Sequence, residues 1–291
     1  LNTRDVSERR RLEEALTAQA QSDELTGLAN RSVFRSRVET SLQSALAPAE
    51  VAVLFLDLNG FKAVNDVHGH HVGDELLMVV ARRLANSVRP GDLVARLGGD
   101  EFAILVAGPG AEAGATWVAD RINQALQRPL SVQGRSVTIG ASVGVAVSDS
   151  GGESADQLLR NADLAMYRAK SGRVPGFVRF EAQMHDALLA RVKAEAELRD
   201  AIPGGQLVLH YQPVVELSSN RIVGVEALAR WEHQDGLISP EEFIDIAEET
   251  GLIHELGEWA LRESARQGVA WQRYAPPGGT FRIAVNVSAQ Q

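Results

Sequence analysis

The chain contains no cysteine, which excludes disulfides, thiolate metal sites and cysteine nucleophiles. It has no apolar run near the roughly 20 residues that span a bilayer. The N-terminus lacks the basic segment and apolar core of a secretory signal, so a membrane is expected as a partner only through segments upstream of this sequence. Positive charge is also short: 29 Lys and Arg face 38 Asp and Glu, a net charge of −9. A general nucleic-acid binder would need a large basic surface, and that class is excluded. An acidic chain that handles a polyphosphate needs local basic groups and usually a divalent cation to offset the repulsion. What is present is ordinary for a soluble fold: 45% hydrophobic and 23% charged residues over 291 positions, enough for one large domain or two modest ones. Composition predicts a cytoplasmic α/β protein and goes no further.

Residues 5–22 read as one polar, charged helix with few apolar positions (Leu12, Leu16). With so little to bury, it is expected to pair with another helix or to link domains. Helix and strand patterns then alternate. A helical period over 31–46 stops at Pro48, and the apolar run 51–56 is short enough for a buried strand. A helix over 73–88 is stopped by Pro90-Gly91. Two short apolar runs, 93–97 and 102–106, are joined through Gly98-Gly99-Asp100. That is a hairpin signature, because glycine permits the positive φ of a tight turn. A helix over 111–126, a strand over 137–147 and a helix over 154–170 follow. After Pro175-Gly176 a helix over 181–201 runs into Pro203-Gly204-Gly205, a hinge signal. Beyond it come strands over 207–216 and 221–231, two helices within 239–274, and a last strand over 282–287. This second region reads as the opening of a larger α/β domain.

Asp57 follows the buried run 51–56 and therefore lies at a sheet rim, where open α/β sheets place ligands. An aspartate ending a strand is also a common turn residue. The turn Gly98-Gly99-Asp100-Glu101 adds two adjacent carboxylates beside glycines that leave the backbone open to close approach. Hard carboxylate oxygens suit Mg²⁺, so Asp57, Asp100 and Glu101 could hold one or two ions on a triphosphate. A solvated acidic hairpin turn is the competing reading, and spacing alone does not separate the two.

Longer motifs do separate them. Gly98-Gly99-Asp100-Glu101-Phe102, preceded by Arg96, resembles the signature turn of GGDEF-domain diguanylate cyclases. Asp23-Glu24-Leu25-Thr26-Gly27-Leu28-Ala29-Asn30-Arg31 is similar to the opening of that domain. The stretch from Asp57-Leu58-Asn59-Gly60-Phe61-Lys62 to Asn65-Asp66, with Gly69-His70 and Gly73-Asp74, resembles its metal and guanine segment. Ala162-Asp163-Leu164-Ala165-Met166-Tyr167-Arg168-Ala169-Lys170 resembles its closing helix. The resemblance implies that Asp57, the Leu58 carbonyl, Asp100 and Glu101 hold Mg²⁺ or Mn²⁺. Asp100 and Glu101 would be catalytic, with Asp100 helping to activate a ribose 3′-hydroxyl. Asn65 and Asp74 would read guanine. Lys62, Lys170 and Arg173 would meet the GTP phosphates, with His70 in the same segment and His71 on the surface. One departure stands out: Lys170-Ser171-Gly172-Arg173 is one residue shorter than the family's Lys-x-x-Gly-Arg-Asn, which rotates Arg173 relative to that pattern. Arg89-Pro90-Gly91-Asp92, just before the glycine turn, is either a local ion pair at a helix stop or, as in the family, an inhibitory site for product. A guanidinium suits bidentate recognition of guanine and phosphate.

The segment Arg4-Asp5-Val6-Ser7-Glu8-Arg9 resembles the end of PAS-type sensor domains. The second region is similar to the start of an EAL phosphodiesterase domain, through Tyr211-Gln212-Pro213, Glu226-Ala227-Leu228-Ala229-Arg230-Trp231 and Asn286-Val287-Ser288. In that family the glutamate and asparagine bind metal, while the glutamine and arginine contact cyclic di-GMP. That implies a partial site of Gln212, Glu226, Leu228, Arg230 and Asn286. The expected organisation is a signalling helix (1–21), a GGDEF domain (22–180), a linker helix and hinge (181–205) and an EAL segment (206–291). The expected fold is α/β: a nucleotide-cyclase-like palm with a central, mostly antiparallel sheet flanked by helices, followed by an incomplete TIM-like barrel. The implied function is condensation of two GTP into cyclic di-GMP and pyrophosphate by a homodimer under product inhibition, with no phosphodiesterase activity in this stretch. The alternative is a regulatory module that binds GTP or cyclic di-GMP to control a neighbouring phosphodiesterase.

Overall fold

The computed structural model describes residues 21–44, 50–148, 152–172, 176–274 and 281–291. The polar helix expected over 5–22, the PAS-like segment and Arg173 lie outside the described residues, apart from the last two positions of that helix. The chain divides into two units, Leu1–Met184 and His185–Gln291.

The first unit is organised by β1 (Val51–Asn59), in which every residue but Phe55 and Asn59 is buried. A strand covered on both faces has to be apolar on both, which is why the sequence run looked continuous. β1 pairs antiparallel with β3 (Glu101–Ala107) on one side and β6 (Gly140–Val147) on the other. β2 (Leu93–Gly98) adds antiparallel to β3, and β7 (Phe177–Arg179) adds parallel to β6. The sheet order is β2-β3-β1-β6-β7, mostly antiparallel as expected.

Side chains of a strand alternate between faces, and here the alternation separates two cores. Ala52, Leu54, Leu56 and Leu58 of β1, with Phe102, Ile104 and Val106 of β3, pack against α3 (His70–Ala85) and α4 (Ala111–Gln127) through Leu76, Leu84, Val118 and Ile122. Val51, Val53 and Phe55, with Ala103 and Leu105, pack against α1 (Arg31–Ser44) and α5 (Ala155–Ser171) through Phe34, Val38, Leu158 and Ala162. Asp57 and Glu101 continue the second set, so both carboxylates belong to the face covered by α1 and α5.

Several elements differ from expectation. β1 runs three residues beyond the apolar run, so Asp57 lies within a paired strand. An additional helix, α2 (Phe61–His68), fills the connection to α3, with Gly60 (φ 78°) and Gly69 (φ 84°) at its ends. Two helical turns with only Phe61 and Val64 against the core give too little periodicity to read. α3 accordingly starts and ends three residues earlier than expected. The strand expected over 137–147 is β6, which starts three residues later, and it is preceded by a small hairpin of β4 (Leu130–Val132) with β5 (Arg135–Val137) that was not expected.

In the second unit, α6 (Gln183–Gly204) packs Leu198 and Ala201 against Leu207, Trp231, Phe243 and Leu256. It runs through Pro203 rather than stopping at 201, and ends at Gly204, where Gly205 (φ 71°) takes the left-handed conformation that closes a helix. β8 (Leu207–Glu216) and β9 (Arg221–His233) form a long antiparallel hairpin. β10 (Gly236–Ile238) pairs antiparallel with the end of β9, and β11 (Arg282–Val285) pairs parallel with its middle. α7 (Pro240–Thr250) starts with a capping box from Ser239 and Glu242, and α8 (Ile253–Trp271) follows it. No helix among the described residues is long and apolar enough to cross a membrane.

Candidate functional site

Asp57 and Glu101 face each other across β1 and β3, at the last pair of that register. Directly opposed like charges destabilise a strand pair, and each carboxylate has a basic neighbour. Lys170 of α5 donates from Nζ to Asp57 Oδ2 at 2.8 Å, while Arg31 of α1 lies 3.6 Å from Glu101. Asp57 is buried, and its other oxygen, Oδ1, has no donor among the described residues. Burial pushes the Glu101 carboxyl above its usual range, and the charges of Asp163, Asp57 and Asp100 act in the same direction against Arg31. Asp163, two turns before Lys170 on α5, is likewise raised by burial and opposed by Arg31. Sequence reasoning quoted Arg31 and Asp163 inside motifs without giving either a place at the site.

The glycine turn is held from outside the carboxylates. Gly98 (φ 142°) and Gly99 (φ 51°) make a conformation that a side chain would strain. The Arg96 guanidinium donates to the Gly99 carbonyl at 3.0 and 2.8 Å and to both oxygens of Asp23 at 3.0 and 3.1 Å. Asp23 also accepts from the backbone N–H and hydroxyl of Thr26. Burial alone would raise the Asp23 carboxyl, but these donors together hold it below its usual value. Among the described residues no three His, Asp or Glu side chains gather closely enough to hold a metal ion. Asp57 and Glu101 are cross-strand neighbours, with Lys170 on Asp57 and Arg31 beside Glu101.

The stretch expected to read guanine lies on the other side of β1, on α2 and α3. Asn65 Oδ1 is buried with no donor among the described residues, and it sits where a Cβ on Gly73 would come within 1.9 Å. Asp74, Lys62, His70 and His71 are exposed. Leu58 is buried, opposite Ala141 of β6.

Arg89 and Asp92 sit in the loop between α3 and β2. Asp92 Oδ2 accepts the backbone N–H of Arg89 at 2.9 Å, and the Asp92 N–H returns to the Arg89 carbonyl at 3.1 Å. The expected guanidinium–carboxylate ion pair is absent among the described residues. Instead the Arg89 guanidinium carbon lies 4.9 Å from the ring centre of Trp117. Sequence reasoning missed Trp117. Its signal was a large aromatic on α4 away from the buried stripe of Ala115, Val118 and Ile122.

In the second unit, Gln212 of β8 pairs with Glu226 of β9, and Ala284 of β11 pairs with Glu226 on the other side. Asn286 Nδ2 donates to Glu226 Oε1 at 2.7 Å. The Arg230 guanidinium donates to the Ala229 carbonyl, and Leu228 lies beside Ala227 and Asn286 in an apolar cleft under α7 and α8.

Residues 20–174 match the family model described as Diguanylate cyclase, GGDEF domain, and residues 195–291 match that of the EAL domain. Over 273 residues the chain is 44% identical to the bifunctional diguanylate cyclase/cyclic di-GMP phosphodiesterase MucR of Pseudomonas aeruginosa, covering 92% of this chain and 39% of MucR. The chain spans about two fifths of the length of the curated relatives it matches. The solved GGDEF domain of YfiN from Pseudomonas aeruginosa superposes with a TM-score of 0.55 at 37% identity, over 58% of this chain and 99% of that one. The S helix-GGDEF-EAL region of LapD from Vibrio cholerae shares the fold over 98% of this chain and 66% of its own, with a TM-score of 0.59 at 19% identity. Sheet, glycine turn and sequence agree: the chain belongs to the GGDEF-domain diguanylate cyclase family and carries an EAL-domain segment after it.

Proposed function

We propose that this chain condenses two GTP molecules into cyclic di-GMP with release of pyrophosphate, as a dimer in which each GGDEF domain holds one GTP. The observation that carries the reading is Asp57 Oδ1, a buried carboxylate oxygen without a donor among the described residues, opposite a second carboxylate across a register pair. Such an oxygen fits a divalent cation, and the hard oxygens of Asp57, the Leu58 carbonyl, Asp100 and Glu101 would hold Mg²⁺ or Mn²⁺. When bound, the cation supplies charge neutralisation for the triphosphate and the leaving pyrophosphate.

The chain's own residues do the rest. Asp100 accepts the proton of a ribose 3′-hydroxyl as that oxygen bonds to the α-phosphorus of the other GTP and the bond to pyrophosphate breaks. The same step in the opposite sense closes the ring. Asn65 Oδ1 and the Asp74 carboxylate accept from the N–H groups of guanine, which adenine lacks in that arrangement. Lys62, the exposed face of Lys170, and Arg173 meet the phosphates. Arg89 and Asp92 bind the product and restrain the approach of two domains. The EAL segment offers Glu226 and Asn286 as ligands with Gln212 and Arg230 for the nucleotide. That is short of the metal pair hydrolysis uses, and no phosphodiesterase activity is expected of it. A second reading, a nucleotide-binding module that regulates an EAL domain, is favoured by the presence of both domains in one chain.

Incubation with GTP and Mg²⁺ followed by separation of the nucleotides tests the proposal. Cyclic di-GMP is expected from the wild type and none from Asp100→Asn or Glu101→Gln. The turn is partly exposed, and substitutions of that kind usually change stability by no more than about 0.5 kcal/mol, so melting should be unaltered. GTP binding without turnover supports the regulatory reading instead, and undiminished synthesis by both variants overturns the metal assignment.

A further inference from the structure

The loop carrying Arg89 closes on itself through main-chain bonds and the Asp92 carboxylate, with Gly91 (φ 105°) making the turn. That arrangement uses the Arg89 backbone and leaves its guanidinium to Trp117. Arg121, one turn along α4, places its guanidinium carbon 4.9 Å from the same ring centre and donates to the Asn86 carbonyl at 2.8 Å. Two cations thus share one indole in a protein of net charge −9. Trp117 is 39% exposed, so core packing does not account for a large aromatic at this position.

We propose that Trp117 is the positioning residue of the product site. Its ring holds the plane of the Arg89 guanidinium, leaving the N–H edge directed outward toward a guanine or a phosphodiester. The inference rests on the reading of Arg89 and Asp92 as the inhibitory site. Stacking on an aromatic face suits the planar, weakly hydrated guanidinium and keeps its donor fork available. An unsupported arginine samples many rotamers, and ordering it on binding opposes affinity; a guanidinium already seated on a ring avoids most of that loss.

The test is cyclic di-GMP binding to the full chain, followed by calorimetry and by tryptophan fluorescence. An Arg230→Ala background removes the guanidinium that the EAL resemblance assigns to the same nucleotide. Binding should change the fluorescence of the parent, and this change should vanish in Trp117→Phe. Trp117→Ala should weaken affinity about fivefold to tenfold, and Trp117→Phe should recover most of it. Undiminished affinity in Trp117→Ala overturns the inference while leaving the product site in place. Absence of binding by the parent, or undiminished binding by Arg89→Ala, overturns the product site and this inference together.

Discussion

Asp23, Asp57 and Glu101 are three carboxylates held in three different ways. Asp23 is saturated with donors from Thr26 and Arg96. Among the described residues, Asp57 has one oxygen bonded and one without a donor, and Glu101 has Arg31 at 3.6 Å. The first arrangement belongs to architecture, since Arg96 passes the restraint on to the Gly99 carbonyl in the glycine turn. Asp23→Asn should therefore destabilise the protein by about 1.5–3 kcal/mol at neutral pH, the range for hydrogen bonds to charged groups. Because the folded-state pKa of Asp23 is lowered, its contribution is complete above the usual 3.8 and is lost as pH falls through the lower folded value. Denaturation midpoints of wild type and variant should differ at pH 7 and converge in acid; a pH-independent gap would contradict this account. The motifs made these residues legible as a set, and Asp57 and Glu101 could be named from sequence. Their partners could not. Lys170 lies 113 positions from Asp57, and nothing local in the sequence says that its ammonium reaches that carboxylate or that Arg31 reaches Glu101.

Two glycines show how strands and helices set the site. Gly144 of β6 lies so near α5 that a Cβ would come within 2.0 Å of the Met166 nitrogen and 2.3 Å of the Ala162 carbonyl oxygen. Those are backbone atoms, which cannot rotate away, and α5 carries both Asp163 and Lys170. Gly144→Ala should therefore cost about 3 kcal/mol or more, seen as a lowered denaturation midpoint; a midpoint within error of wild type would refute the close approach. Gly73 poses the opposite case. Its added methyl would meet the Asn65 side chain, which can move, and alanine improves a helix by up to about 1 kcal/mol. Gly73→Ala should keep the fold while raising the KM for GTP about tenfold, the loss of one hydrogen bond worth roughly 1.4 kcal/mol; an unaltered KM would remove Asn65 from the guanine pocket. Long elements such as β8 and α4 were readable because eight or more residues repeat a period. β7, β4 and β5 have three residues each, too few for alternation to be seen, and α2 is fixed by two glycines rather than by pattern.

The two units divide the chain between a five-stranded sheet built around β1 and a smaller sheet built around β9. On the proposed reading the first holds one GTP among Asp57, Asn65 and the glycine turn, whereas the proposed product joins two guanylates. A second chain is then required to present the other substrate, and activity becomes a property of association. The resemblance read in the motifs carried this expectation; no local pattern in the sequence expresses it, because it concerns how two surfaces meet. The most direct measurement is the initial rate of pyrophosphate release from GTP, expressed per chain, across a wide range of protein concentrations for the wild type and for Asp57→Asn. The account predicts that the wild-type rate per chain rises with concentration to a plateau while Asp57→Asn releases none. A rate per chain that does not depend on concentration, or an Asp57→Asn variant as active as the wild type, would contradict it.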